Sequence, residues 1–200
     1  MVIHHIAVYC GSAVGRNPAY AAGARRLGTL MAERSIGLIC GGGGIGLMKE
    51  IADAVLVAGG QAIGVIPEPM VRCGLAHAGL TRLHVVATMH ERKEMMARIA
   101  DAFIALPGGY GTFEELLETL TWNQIGIHHK PCGVLNVAGY YDPMLAQFDR
   151  ATNEGLLQPE WRKLILSDPE PAELLDRLLT ATPQRGTLWD GEYENPKSGI

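Results

Sequence analysis

The sequence predicts an α/β protein: a single-domain, Rossmann-like, doubly wound parallel sheet with helices on both faces. Three observations carry this. Short apolar runs alternate with longer amphipathic segments along the chain, as in a parallel sheet wound by crossover helices. Three strand-to-helix connections, after Cys10, Cys40 and Leu106, are rich in glycine. In open sheets of this class such connections converge on one edge of the sheet, where ligands bind. Finally, 200 residues that are 48% hydrophobic and 19% charged suit one domain with a sizeable core.

The elements follow in order. Residues 3–10 contain the first strand, which opens onto Gly11 and Ser12. Residues 19–34 read as a helix with Leu27, Leu30 and Met31 as its apolar stripe. Residues 36–40 form the second strand, and the glycine run 41–46 leads into a helix over 47–58. Residues 61–66 are the third strand and 67–81 a long loop of the kind that often covers sites. A fourth strand (83–87) feeds a helix over 89–100, with Met95, Met96 and Ile99 on its apolar side. The fifth strand (102–106) runs into a glycine turn and a helix over 113–125. A sixth strand lies within 130–137, a helix over 140–154, a short last strand at 164–166 and a closing helix at 171–179. The domain is expected to span 1–182, and 183–200 to be a polar tail.

A net charge of −4 offers no bulk attraction to nucleic acid or to a membrane. Cys10, Cys40, Cys73 and Cys132 are widely spaced, and three fall in or beside strands. They read as reduced thiols of a cytoplasmic protein, and no secretory or membrane-spanning run is evident. The seven histidines show no zinc-like grouping, so no metal site is expected.

The chemistry concentrates in residues 88–124. Thr88 and Glu91 form the T-x-x-E pattern of a helix start. Arg92 and Lys93 then sit in the first turn, where cations oppose the helix dipole. They are either solvated surface charges or ligands of something negative. The turn Pro107, Gly108, Gly109, Tyr110, Gly111, Thr112 joins a buried strand to a helix. Glycines there let backbone N–H groups approach a phosphate, and the Thr112 hydroxyl adds a donor. Glu115 completes a second T-x-x-E with Thr112, so it either caps the helix or points across the pocket at a sugar. Glu114 and Glu118 read, on the helix alone, as solvated charges. Gly41, Gly43 and Gly46 match G-x-G-x-x-G, but four consecutive glycines match such patterns easily, and the run follows the second strand. A general nucleotide cradle is the better reading.

These motifs resemble the Lonely Guy (LOG) family of cytokinin riboside 5'-monophosphate phosphoribohydrolases. The signature P-G-G-x-G-T-x-x-E is matched at 107–115 and M-H-x-R-K at 89–93. The resemblance implies hydrolysis of the N-glycosidic bond of N6-modified adenosine 5'-monophosphates, with no metal or organic cofactor. It implies Arg92 and Glu115 as catalytic residues. Ser12, Gly43, Met89, Lys93, Gly108, Gly109, Tyr110, Gly111, Thr112, Glu114 and Thr121 become substrate-binding candidates. It also implies a homodimer acting on a small nucleoside monophosphate. The chain departs from the family at Gly74, where a glutamate usually precedes A-H-x-G-L-T; Glu68 stands nearby. The rival is a nucleotide or molybdenum-cofactor carrier, which needs the phosphate cradle but not an Arg92–Glu115 pair. A pyridoxal-phosphate decarboxylase finds no lysine in a convincing Schiff-base setting.

Overall fold

Alternate residues of the first strand face two different cores. Ile6, Val8 and Cys10 pack into one apolar cluster, while Ala7 and Tyr9 pack into another. That is the period of a strand buried on both faces. The computed structural model describes residues 2–182. Strand β1 (His5–Tyr9) leads to helix α1 (Pro18–Glu33), β2 (Gly37–Cys40) to α2 (Gly46–Val57), and β3 (Ala62–Pro67) to α3 (Glu68–Arg72). Then β4 (Arg82–Val86) leads to α4 (Met89–Ile99) and β5 (Ala102–Ala105) to α5 (Tyr110–Gln124). The chain continues through β6 (Cys132–Leu135), a 3-10 turn (Val137–Gly139), α6 (Asp142–Asn153), α7 (Pro159–Arg162), β7 (Ile165–Asp168) and α8 (Pro171–Thr180).

The seven strands form one sheet in the order β4-β3-β2-β1-β5-β6-β7, and every neighbouring pair is parallel. The chain winds outward from β1 to β4, and α4 carries it back to β5 beside β1. That is the topological switch point. Residues of α1, α2 and α8 cover one face of the sheet, and residues of α4, α5 and α6 the other. The connections leaving β1 and β5 therefore part to opposite faces and leave a crevice between them.

Helix starts differ in whether a side chain caps them. Asn17 Oδ1 accepts from Ala19 N–H at the start of α1. Thr88 Oγ1 accepts from Glu91 N–H at 3.1 Å, and the Glu91 carboxylate accepts from Ala87 N–H at 2.9 Å. The first T-x-x-E is therefore a cap. Helices α2 and α5 start at or just after glycines with no side-chain cap.

The doubly wound class holds, and several expected limits are corrected. The stretch 67–81 is not all loop, because Pro69 opens the one-turn helix α3. Helix α7 is an addition built the same way on Pro159. Helix α5 begins at Tyr110, three residues before the expected start, because Gly109 provides an extended N-cap. Strand β7 extends to Asp168 through its pairing with Leu135. Leu27, Leu30, Met31 and Met96 are buried as expected, as are Cys10, Cys40 and Cys132; Cys73 is exposed. All four cysteines are free thiols. No helix among the described residues is long and apolar enough to cross a membrane. The expected tail, 183–200, lies outside the described residues.

Candidate active site

Arg92 and Glu115 meet at the carboxyl edge of the sheet. Arg92 comes from the first turn of α4 and is 7% exposed; Glu115 comes from α5 and is 8% exposed. Arg92 Nη1 donates to Glu115 Oε1 at 2.5 Å, and Arg92 Nε donates to the Val65 carbonyl of β3 at 3.2 Å. The other guanidinium nitrogen lies against Gly41, where any Cβ would collide with it. Gly41 is thus a glycine because Arg92 occupies the space of a side chain. These three anchors decide between the two readings of Arg92: it is a buried ion pair, not a solvated charge.

The second T-x-x-E is not a cap. Helix α5 has already begun at Tyr110, so Thr112 and Glu115 both lie within it. The Thr112 side chain packs against the backbone of Gly108, which leaves no room for a Cβ there. Burial pushes the Glu115 carboxyl up, the Arg92 charge and hydrogen bond pull it down, and the net shift is upward. Among the described residues, Oε1 is held by Arg92 and Oε2 accepts no hydrogen bond. Behind Glu115, the Thr119 hydroxyl donates to the Glu115 carbonyl at 2.8 Å and meets the Tyr9 hydroxyl at 3.1 Å.

The glycine turn supplies donors. Among the described residues, none of the five consecutive N–H groups from Gly108 to Thr112 donates to a protein acceptor. Gly11 N–H donates to the Pro107 carbonyl at 3.0 Å, which ties the β1 connection to this turn. Five unused amides at the N-terminus of a fifteen-residue helix are placed so that they could hold an anion. Glu115 lies one helical turn below Thr112, roughly 4.5 Å along the axis. A buried carboxylate therefore stands about one sugar ring from the anion cradle.

Other candidates are placed as follows. Lys93 is buried, and its ammonium donates to Glu114 and to Glu118, the latter at 3.1 Å. Glu114 and Glu118 are therefore ion-paired, Glu114 while its side chain remains largely solvated. Burial lowers the Lys93 pKa, the two carboxylates raise it, and the net shift is upward. A Schiff-base lysine must be neutral and unpaired, so Lys93 does not suit pyridoxal phosphate. Gly109 and Gly111 are open to solvent, as are Ser12 and Tyr110, the last 94% exposed. Met89 is half-exposed at the start of α4. Gly43 bridges Ala76, with Gly44 N–H donating to Leu75 at 2.8 Å and His77 N–H to Gly42 at 2.9 Å. The segment after α3 thus lies on the glycine run. Gly74 sits there at φ +70°, and Glu68 pairs with its own helix neighbour Arg72.

Thr121 is not brought to this cradle. It lies exposed near the other end of α5, roughly 14 Å along the helix from Thr112. It lines an apolar groove with Leu117, Leu120, Phe148 and Trp161. Sequence reasoning missed the supports of the ion pair: Gly41, the Val65 carbonyl, and Tyr9 with Thr119. Only Gly41 carried a local signal, a glycine directly after a strand. Among the described residues, no group of three or more His, Cys, Asp or Glu side chains is placed to hold a metal.

Comparison with known proteins adds the following. The sequence model of a family described as possible lysine decarboxylase matches residues 48–178. The cytokinin riboside 5'-monophosphate phosphoribohydrolase LOG of Oryza sativa subsp. japonica is 48% identical over 189 residues, covering 94% of this chain and 78% of that protein. The Arabidopsis thaliana enzyme LOG7, of the same description, is 47% identical over 179 residues, covering 90% and 82%. Among solved structures, the molybdenum cofactor binding protein of Rippkaea orientalis aligns with a TM-score of 0.66 at 23% identity, over 88% of this chain and 95% of that one. The molybdenum cofactor carrier protein of Chlamydomonas reinhardtii gives 0.66 at 21%, over 88% and 98%. At these identities the two structures share the fold with this chain.

Proposed function

The chain belongs to the LOG family, and from that premise we propose that it hydrolyses the N-glycosidic bond of cytokinin riboside 5'-monophosphates. The substrates are N6-modified adenosine 5'-monophosphates, with AMP as the unmodified member of the class. The products are the free base and ribose 5-phosphate.

The observation that carries this is the buried Arg92–Glu115 pair one helical turn below five unused amides. The amides and the dipole of α5 hold the 5'-phosphate, which sets the ribose over Glu115. Departure of the base leaves positive charge on the sugar ring. A carboxylate held at low exposure stabilises that charge and accepts a proton from the attacking water, and that proton then neutralises the base, which departs with the bonding electron pair. Arg92 keeps Glu115 oriented through Oε1 and leaves Oε2 for the substrate. Its charge also opposes the rise in carboxyl pKa that burial causes.

A carrier would use the cradle but leaves the ion pair without a role. The test is base release from AMP and isopentenyladenosine 5'-monophosphate, followed by chromatography beside the matching nucleosides. Release from the monophosphates alone is expected. Tight binding of nucleotide or pterin without release would replace the enzyme with the carrier.

The proposal includes a cytoplasmic homodimer. Free thiols suit a reducing compartment. The groove around Leu117, Thr121 and Trp161 is apolar, and a second copy packed on it would cover Thr121. Light scattering that gave a monomer at micromolar concentration would remove the dimer.

A further inference from the structure

The amides of the glycine turn are aimed by its carbonyls. A trans peptide is planar, with C=O and N–H pointing in opposite directions. Fixing the carbonyl of one residue therefore fixes the N–H of the next. Gly11 holds the Pro107 carbonyl at 3.0 Å and so sets the Gly108 N–H. The Tyr140 hydroxyl donates to the Gly108 carbonyl and so sets the Gly109 N–H. Neither amide donates to a protein acceptor among the described residues.

We propose that Tyr140 is a positioning residue for the phosphate-binding turn: its hydroxyl holds the Gly108 carbonyl so that the Gly109 N–H faces the phosphate. This rests on the phosphoribohydrolase reading of the cradle. The way Tyr140 is delivered supports it. The turn before it holds Ala138 at φ 52°, ψ 32°, a left-handed conformation that is strained for a residue with a Cβ. The surrounding structure enforces it. Asn136 Oδ1 accepts from Tyr141 N–H at 2.7 Å, and Asn136 Nδ2 donates to Asp142 Oδ1 at 2.7 Å. The Tyr140 ring is then gripped edge-on by Tyr20 of α1 at 5.5 Å and stacked on Phe113 of α5 at 6.3 Å between centroids. A ring held from both helices loses little further freedom when its hydroxyl bonds. Tyr140 thereby links the helices on either side of the crevice to the turn between them.

The next residue supplies a control. Tyr141 is 1% exposed, and its hydroxyl donates to the Leu106 carbonyl at 2.7 Å. The amide after Leu106 belongs to Pro107, which has no N–H. Tyr141 therefore braces the same turn without aiming a donor.

The experiment compares wild type, Tyr140→Phe and Tyr141→Phe by calorimetry with ribose 5-phosphate, and by thermal unfolding. Tyr140→Phe is expected to weaken Kd about tenfold, and to raise KM for AMP by a similar factor with kcat within about twofold. Tyr141→Phe is expected to keep Kd within about twofold while losing more thermal stability. Equal Kd in wild type and Tyr140→Phe overturns the proposal, as does an equal loss of affinity in both variants. Wild type that fails to bind ribose 5-phosphate overturns it too. Base release by wild type is scored separately. Its absence removes the hydrolase reading, whereas the Kd comparison decides the role of Tyr140.

Discussion

Replacing Glu115 with glutamine separates its charge from its shape. The amide keeps an oxygen that can accept from Arg92 Nη1, now 2.5 Å from Oε1, so the side chain stays in place. What disappears is the negative charge. At an effective dielectric near 20, a unit charge about 4 Å from a cationic sugar contributes on the order of 4 kcal/mol. That corresponds to a fall in kcat on the order of a thousandfold. The variant also leaves Arg92 buried without its counter-ion, at a cost of about 3 kcal/mol. For a chain of this size the thermal midpoint should then fall by roughly 6–12 °C. Single-turnover base release, quantified by chromatography below the new midpoint, measures the first effect. Ribose 5-phosphate calorimetry should show affinity within about threefold of wild type, because the cradle amides are untouched. Turnover within tenfold of wild type would refute the electrostatic role. Loss of ribose 5-phosphate affinity in parallel with turnover would show that Glu115 binds rather than reacts.

Arg92→Ala should lower kcat/KM by at least a hundredfold and move the acid limb of the pH profile upward. Glu115 acts ionised, so activity is lost as pH falls through its folded pKa, which burial already raises; without Arg92 the main opposition to that rise is gone and only the Lys93 charge remains against it. An unmoved limb would assign it to another group. Gly41→Ala should act at a distance from the substrate: the new Cβ collides with the Arg92 guanidinium and displaces it. Turnover should fall about ten- to a hundredfold, with about 1–3 kcal/mol of destabilisation, and kinetics at the wild-type level would show that Arg92 has room to move. His128 is held at a pKa of about 4 by burial, with Lys130 and His129 adding repulsion. The unfolded chain takes up that proton first, so stability should fall by up to about 3 kcal/mol between pH 6.5 and 4. Urea unfolding of His128→Gln should lack that component, and an identical pH slope in both proteins would remove the assignment.

Much of the fold is legible because it depends on local patterns. The strand cores, the stripe of Leu27, Leu30 and Met31, and the three buried cysteines follow from two periods and from apolar run lengths. Helices α3 and α7 escaped because one turn is too short to show a period; a proline alone marked each start. The cradle was legible for a related reason. Its donors are main-chain amides, and the glycines that expose them are adjacent in sequence.

The two T-x-x-E patterns show where the sequence stops. Thr88 and Glu91 cap α4, while Thr112 and Glu115 do not cap α5. Capping involves backbone groups within four residues, so the first case needed nothing beyond its neighbours. In the second, the helix starts earlier at Gly109, and a guanidinium 23 residues upstream claims the carboxylate. That competition is settled by burial: a charge at the sheet edge must find its opposite, and only the return of α4 across the sheet brings Arg92 to it. The sequence by itself determined the wound sheet, the amide cradle and the residue types available at its edge. Tertiary structure decided which carboxylate stands beside the cradle, because the partner that holds it there is remote along the chain and near only in the fold.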